Sequence, residues 1–132
     1  MKVHQLMTTK IATISRERNV VDAARVMVQY ACGSIIITEN DTPIGIITET
    51  DLLKKVIAEG KNLHETSVSD IMSTNLITGN PMDSISETSR RMSLAKIRRM
   101  IVVDNGKLVG IVSTTDLKRY MKELERDLMD LT

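Results

Sequence analysis

Aromatic residues and cysteine are nearly missing from this chain. It has no Phe or Trp, and Tyr30 and Tyr120 are its whole aromatic complement, so binding of single-stranded nucleic acid, which relies on bases stacking on rings, is disfavoured. A large excess of positive charge is missing too: 18 Lys and Arg stand against 17 Asp and Glu, a formal net charge of +1, which argues against a general polyanion binder. A single cysteine, Cys32, excludes an internal disulfide. It lies at the end of an apolar helical pattern and reads as a small buried hydrophobe in a reducing compartment. No apolar run approaches the roughly 18 residues needed to span a bilayer, and Met1 to Ala12 lacks the apolar core of a signal peptide; the expectation is a cytoplasmic protein with no membrane partner. His4 and His64 are isolated, with no second ligand or nucleophile at usable spacing, and there is neither a zinc signature nor a Gly-rich phosphate loop. The sequence therefore points away from an enzyme.

What is there is ordinary in amount and unusual in arrangement. Hydrophobic residues make up 42% and charged residues 27% of 132 residues, values that suit one compact domain or two small subdomains. Val3 to Lys54 aligns with Val68 to Arg119 at a constant shift of 65, without insertion, which marks a tandem duplication. The expected organisation is one unit over 1–60, a linker over 61–67, a second unit over 68–120 and a C-terminal extension over 121–132.

Each copy opens with Val-x-x-apolar-Met, at Val3 to Met7 and again at Val68 to Met72, and continues into a short strand carrying Thr13 or Thr78. A helix follows. In copy one Val20, Ala23, Ala24, Met27 and Ala31 recur at three- and four-residue spacing, with Asn19 as N-cap and Asp22 at N3. In copy two Ser84 and Glu87 repeat the start signal, over a thinner face of Ile85, Met92, Ala95 and Ile97. Arg90, Arg91 and Lys96 read as a solvated face, whereas Arg98 and Arg99 lead directly into a strand. Each copy then has a hairpin: Met100 to Val103 and Lys107 to Val112 around Asp104-Asn105-Gly106, and Ile35 to Thr38 and Ile44 to Ile47 around Asn40-Asp41-Thr42-Pro43. These strands are apolar at nearly every position, so both sheet faces should be covered.

The hairpins end in the most distinctive stretch. Gly45-Ile46-Ile47-Thr48-Glu49-Thr50-Asp51 recurs as Gly110-Ile111-Val112-Ser113-Thr114-Thr115-Asp116. It reads as a buried strand running straight into a helix, with Thr48 or Ser113 as N-cap and Asp51 or Asp116 reaching back from N3. The same geometry, with first-turn amides and a positive dipole end, also suits an anionic group. In the final helices, Leu52, Leu53, Val56 and Ile57 should face inward before Gly60 stops the first. In the second, Leu117, Met121, Leu124, Leu128 and Leu131 alternate four- and three-residue spacings like a short coiled-coil seam.

A tandem pair of strand-helix-strand-strand-helix units, each ending in Gly-apolar-apolar-Ser/Thr-x-x-Asp, resembles a CBS domain pair, the Bateman module, over Met1 to about Tyr120. The resemblance implies an α+β fold of two tandem CBS units packed through their small sheets about a pseudo-twofold axis. It further implies two clefts for adenosine-containing ligands (AMP, ADP, ATP or S-adenosylmethionine), no catalytic cofactor, and a homodimer. Asp51 and Asp116 would accept from ribose hydroxyls, with Thr48 and Ser113 near ribose or phosphate, and Gly45 and Gly110 would let backbone approach the ligand. Arg98 and Arg99 match a basic pair that meets phosphates, where copy one has Gly33 and Ser34. Thr13 and Thr78 would touch the base, and adenine would lie between aliphatic side chains such as Ile47 and Val112. The module would regulate a protein in trans or through its own assembly. The alternative is a structural dimerising module in which the repeated motif only caps helices.

Overall fold

The computed structural model describes residues 1–131. It is an α+β structure with two three-stranded sheets of the same topology, in the strand orders β1-β2-β3 and β4-β5-β6. The first sheet holds β1 (Thr13–Ser15), β2 (Ser34–Glu39) and β3 (Thr42–Thr48). The second holds β4 (Thr78–Gly79), β5 (Arg99–Asp104) and β6 (Lys107–Ser113). The first two strands of each sheet run parallel and the last two antiparallel. The parallel step is bridged by α1 (Val20–Gln29) in one copy and by α4 (Ile85–Ala95) in the other, as a crossover between parallel strands requires.

Local chemistry explains these elements. Asn19 accepts from the Asp22 amide at 2.9 Å and Asp22 accepts in return from the Asn19 amide at 3.4 Å, closing a capping box on α1. Ser84 accepts from the Glu87 amide at 3.2 Å on α4, but Glu87 turns outward to Arg90 at 2.9 Å. That bond holds the exposed Glu87 carboxyl below its ordinary range. Ala31 lies just past α1 with a positive φ of 51°, so it ends the helix rather than extending its inner face. The hairpins turn through Asn40-Asp41 and Asn105-Gly106, all four residues with φ between 51° and 78°, as a two-residue turn between right-twisted strands demands. Each hairpin also carries a register shift at the same repeat position, between Ile37 and Thr38 and between Val102 and Val103. This irregularity admits Pro43 inside β3, opposite Thr38, so the strand begins earlier than the apolar run suggests.

The compact units are offset from the sequence repeats. One contains Ile11–Leu76; the other contains Met1–Lys10 together with Ile77–Thr132. Each Val-x-x-apolar-Met phrase, the second of which forms α3 (Val68–Ile71), thus packs in the compact unit formed mainly by the other repeat, and the bonds are matched pair for pair. The Val3 amide donates to Asp83 O at 2.9 Å and the Val68 amide to Arg18 O at 3.0 Å. Ile85 donates to Met1 O at 3.2 Å and Val20 to Thr66 O at 3.0 Å. Thr8 and Ile111 exchange two backbone bonds, as do Ser73 and Ile46, so each phrase also laces the outer strand of a sheet.

Each unit has its own core. Ile14, Val20, Ala23, Met27, Ile35, Ile37, Ile47, Val56, Val68 and Ile71 form one; Val3, Ile85, Met92, Met100, Val102, Val112 and Leu117 form the other. Ile36 and Ile101, on the opposite face of the central strands, are 0% and 3% exposed, so both faces of those strands are removed from solvent. The glycines of the repeated heptad are explained here. A Cβ on Gly110 would sit 2.8 Å from Met7 Cγ, and one on Gly45 would sit 2.7 Å from Met72 Cγ, with the methionine sulfurs closer still. The space beside each glycine is filled by a methionine of the leading phrase, so packing alone requires glycine at these two positions.

The last helices differ between copies. α5 (Thr114–Asp130) is regular, whereas α2 (Glu49–Asp51) widens over Leu52–Ile57 into i→i+5 bonding, seen in Ala58 donating to Leu53 O at 2.8 Å. Widening changes the phase of the apolar face. Val56 is buried beside half-buried Leu52, but Leu53 and Ile57 are 59% and 60% exposed, which corrects the reading of all four as inward. Gly60, with a φ of 67°, ends this segment as expected, and Lys61 donates back to Val56 O.

Replacing Gly110 with alanine should lower unfolding stability in urea by about 1–3 kcal/mol through overpacking. Combining Gly110→Ala with Met7→Ala should cost less than the sum of the single changes, by on the order of 1 kcal/mol. Strict additivity would show that Met7 does not occupy the glycine's space.

Candidate ligand-binding site

The repeated heptad delivers a carboxylate to the same place in each unit. In the unit containing Ile11–Leu76, Thr48 is the N-cap of α2. Its hydroxyl accepts from the Asp51 amide at 3.2 Å, while Asp51 Oδ2 accepts from the Thr48 amide at 2.9 Å. In the other unit, Ser113 caps α5 in the same way at 3.1 Å. Asp116 Oδ2 there accepts both the Ser113 amide and its hydroxyl, each at 2.9 Å. The N1 amides are bound as well: Glu49 donates to Gly33 O at 3.1 Å and Thr114 to Arg98 O at 2.9 Å. The first and third amides of both helices are therefore used within the chain.

Both carboxylates divide their labour between oxygens. Oδ2 holds the cap; Oδ1 faces a cation, Lys55 Nζ at 3.3 Å from Asp51 and Arg119 Nη1 at 3.7 Å from Asp116. The Asp51 and Asp116 side chains are 18% and 10% exposed, so each Oδ1 is an acceptor in a sheltered place whose partner is a lysine or arginine side chain. The two environments are unequal. Lys55 also donates to Ile71 O at 3.1 Å and is anchored, whereas Arg119 is 64% exposed and its contact is long.

Strand register decides which other residues share the sheet face with this cap. Thr13 pairs with Ile36, Ile36 with Ile46, and Ser34 with Thr48. Thr13, Ser34, Ile46 and Thr48 consequently line one face, opposite to that of Ile35, Ile37 and Ile47. In the other unit Thr78 pairs with Ile101, Ile101 with Ile111, and Arg99 with Ser113, so Thr78, Arg99, Ile111 and Ser113 form the matching face. Arg99 is thus the cross-strand neighbour of the Ser113 cap and the counterpart of Ser34. Arg98 precedes the strand, and its established part is the carbonyl that binds Thr114. Ile47 and Val112, expected against an adenine, are 0% exposed and packed in the two cores. The half-buried apolar residues on the cap face are Ile46 and Ile111. Alternation could have shown this, since each of these residues lies an even number of positions from its cap.

Other residues singled out from sequence lie elsewhere. Cys32 is half-buried against its core and its thiol donates to Ser34 O at 3.2 Å. His4 and His64 are exposed, and among the described residues no three His, Cys, Asp or Glu converge as metal ligands. Among the described residues no helix is long and apolar enough to cross a membrane.

As helix caps the aspartates stabilise the ligand-free chain. Asp116→Ala should lower its stability by about 1 kcal/mol, because the Ser113 amide and hydroxyl lose their acceptor, and Asp116→Asn, which keeps one acceptor oxygen, by a few tenths (roughly 0.3 kcal/mol). Denaturant melts without ligand measure this. An alanine variant as stable as the parent would mean that the cap contributes nothing.

Comparison with known proteins agrees with this architecture. The model of the CBS domain matches twice, over residues 3–58 and 68–123. The CBS domain-containing protein YhcV of Bacillus subtilis is 38% identical over 115 residues, covering 87% of this chain and 81% of that protein. An uncharacterized protein of Methanopyrus kandleri, MK0525, is 40% identical over 119 residues; it aligns with 89% of this chain, which spans only 61% of that relative's length. The solved CBS domain pair of protein MJ0100, in complex with 5′-methylthioadenosine and S-adenosyl-L-methionine, superposes with a TM-score of 0.82 at 24% identity, covering 93% of this chain and 97% of that one. Two family matches, set at the spacing of the internal duplication, span nearly all of the sequence: the chain belongs to the CBS domain family and is a tandem CBS pair.

Proposed function

We propose that this CBS pair is a regulatory module that binds adenosine-containing ligands, of the AMP, ADP, ATP or S-adenosylmethionine type, and acts as a homodimer on a protein in trans. The observation that carries the reading is the repeated carboxylate: in each unit a sheltered aspartate commits one oxygen to a helix cap and turns the other to a lysine or arginine side chain. Such an oxygen can receive a ribose hydroxyl, and charged hydrogen bonds of this kind contribute roughly 1.5–3 kcal/mol each. Thr48 and Ser113 stand beside ribose or phosphate in this reading, Thr13 and Thr78 toward the base, and Ile46 and Ile111 supply the apolar contact. The ligands named for the MJ0100 domain pair belong to the same chemical class.

The two sites differ in charge. Arg99 stands where the other copy has Ser34, so the unit holding Arg99 suits a phosphorylated adenosine and the unit holding Ser34 a less anionic one. Arg98, as a neighbour just before β5, adds to the positive field without pairing with the cap. One observation favours the structural alternative: the capping boxes are already complete within the chain, so the motif stabilises the fold with nothing bound.

Thermal melts with AMP, ATP, S-adenosylmethionine and 5′-methylthioadenosine separate the two. A ligand at about 100 times its dissociation constant adds roughly 2.7 kcal/mol, a rise of several degrees for a domain of this size. Asp51→Asn or Asp116→Asn should weaken binding about ten- to hundredfold at the occupied site, and Arg99→Ala should weaken AMP and ATP more than 5′-methylthioadenosine. No shift with any of the four at millimolar concentration would leave the structural module as the function.

A further inference from the structure

The Oδ1 atoms of Asp51 and Asp116 meet their cations at different helical spacings. Asp51 faces Lys55, four residues on, whereas Asp116 faces Arg119, three residues on. The widened turn accounts for the difference: Leu52–Ile57 follows i→i+5 bonding, which brings residue i+4 more nearly over residue i, while α5 is regular. At the repeat shift of 65 the counterpart of Lys55 is Tyr120, which packs against its own core instead of offering an ammonium. Lys55 has a second hold as well. Its Nζ donates to the carbonyl of Ile71, the last residue of α3, at 3.1 Å. One side chain thus ties the Asp51 carboxylate to the leading phrase whose Met72 fills the space beside Gly45 and whose Ser73 bridges Ile46.

We propose that Lys55 is an internal occupant of the Asp51 site, an autoinhibitory latch whose ammonium leaves Oδ1 when a ribose hydroxyl is received. The inference rests on the adenosyl reading given above and deepens it. Asp51 is only 18% exposed and its Oδ2 is committed to the cap, so hydroxyl and ammonium compete for one sheltered oxygen. A ligand that binds only the unlatched fraction has its apparent affinity reduced by that fraction. For a partly exposed ion pair with one further hydrogen bond, that is a reduction of roughly three- to tenfold. Asp116 carries no equal restraint, because its contact is 3.7 Å long and Arg119 is 64% exposed. The latch therefore sets the two sites apart. It also makes occupancy at Asp51 release the Ile71 carbonyl, so that the leading phrase of the second repeat senses the ligand.

Calorimetric titration of the full chain with 5′-methylthioadenosine tests it. This probe brings ribose hydroxyls without a phosphate, so the charge of Lys55 has no ligand anion to attract. In an Asp116→Asn chain, which isolates the Asp51 site, adding Lys55→Met should raise affinity roughly three- to tenfold, and Lys55→Gln should move it in the same direction. Lys55→Arg, which keeps a cation over Asp51, should show no such gain. In the reciprocal Asp51→Asn chain, Arg119→Met should gain less than about twofold. A merely structural lysine predicts the opposite sign, since its loss would loosen the unit and weaken binding. Affinity unchanged or lowered in both Lys55→Met and Lys55→Gln, with the parent's circular dichroism retained, would overturn the latch and leave the adenosyl reading standing. An equal gain from Arg119→Met would also overturn it, and no binding of the probe by the parent or any variant would overturn both.

Discussion

The strand-to-helix junction capped by a hydroxyl and an aspartate is the interaction on which the rest of each unit hangs. At Thr48–Asp51 and Ser113–Asp116 the chain leaves the last strand of a three-stranded sheet and enters a helix within one residue. The backbone amides exposed by that change are bound locally: the carbonyl of residue 33 or 98 takes the first, and the cap hydroxyl takes the third. Because the aspartate answers with only one oxygen, the junction both terminates the sheet and presents an acceptor at a fixed place. Oδ2 serves the cap, and Oδ1 is the atom that the proposed ribose site would use. The complete cap and the proposed ribose site are therefore compatible, and the second oxygen distinguishes them.

What keeps that junction in position is the leading phrase carried by the opposite repeat. Its methionine fills the space that a side chain at Gly45 or Gly110 would need, and its next residue bridges the outer strand two positions before the cap, through Thr8 on Ile111 and Ser73 on Ile46. An edge strand that would otherwise show unpaired amides is thus laced by main-chain bonds. The duplication is not two self-sufficient domains in series: each compact unit takes its lacing segment from the phrase that opens the other repeat, so a cut between repeats would leave both without a strap.

Much of this was legible in sequence because the signals are local. The constant shift, the Asn19 and Ser84 caps, the Asn-Asp and Asn-Gly turns and the Ser/Thr-x-x-Asp boxes each depend on residues within a few positions of one another, and all appear where the residue types demand. The partner of the Val-x-x-apolar-Met phrase was not legible, because a repeat gives order along the chain and not which copy a segment packs on; the coincidence of a methionine and a glycine at matched positions was the available hint. Ile47 and Val112, expected beside an adenine, lie on the core face; Ile46-Ile47 and Ile111-Val112 are apolar on both faces, so residue type does not separate them and only the even spacing from the cap does. Leu53 and Ile57 were misplaced by a widened helical turn, whose phase no 3.6-residue template follows. Pro43 hid the start of β3 because the register shift that tolerates it leaves no mark in composition.

The proposed ribose recognition rests on Oδ1 of each aspartate exchanging its lysine or arginine partner for a ribose hydroxyl. Its most direct measurement is the calorimetric titration of the parent chain with AMP and with 2′,3′-dideoxy-AMP, which share base and phosphate and differ only in the two hydroxyls. Loss of charged hydrogen bonds should weaken the dideoxy compound by about ten- to hundredfold. Equal affinity for the two would contradict ribose recognition and leave Asp51 and Asp116 as helix caps alone.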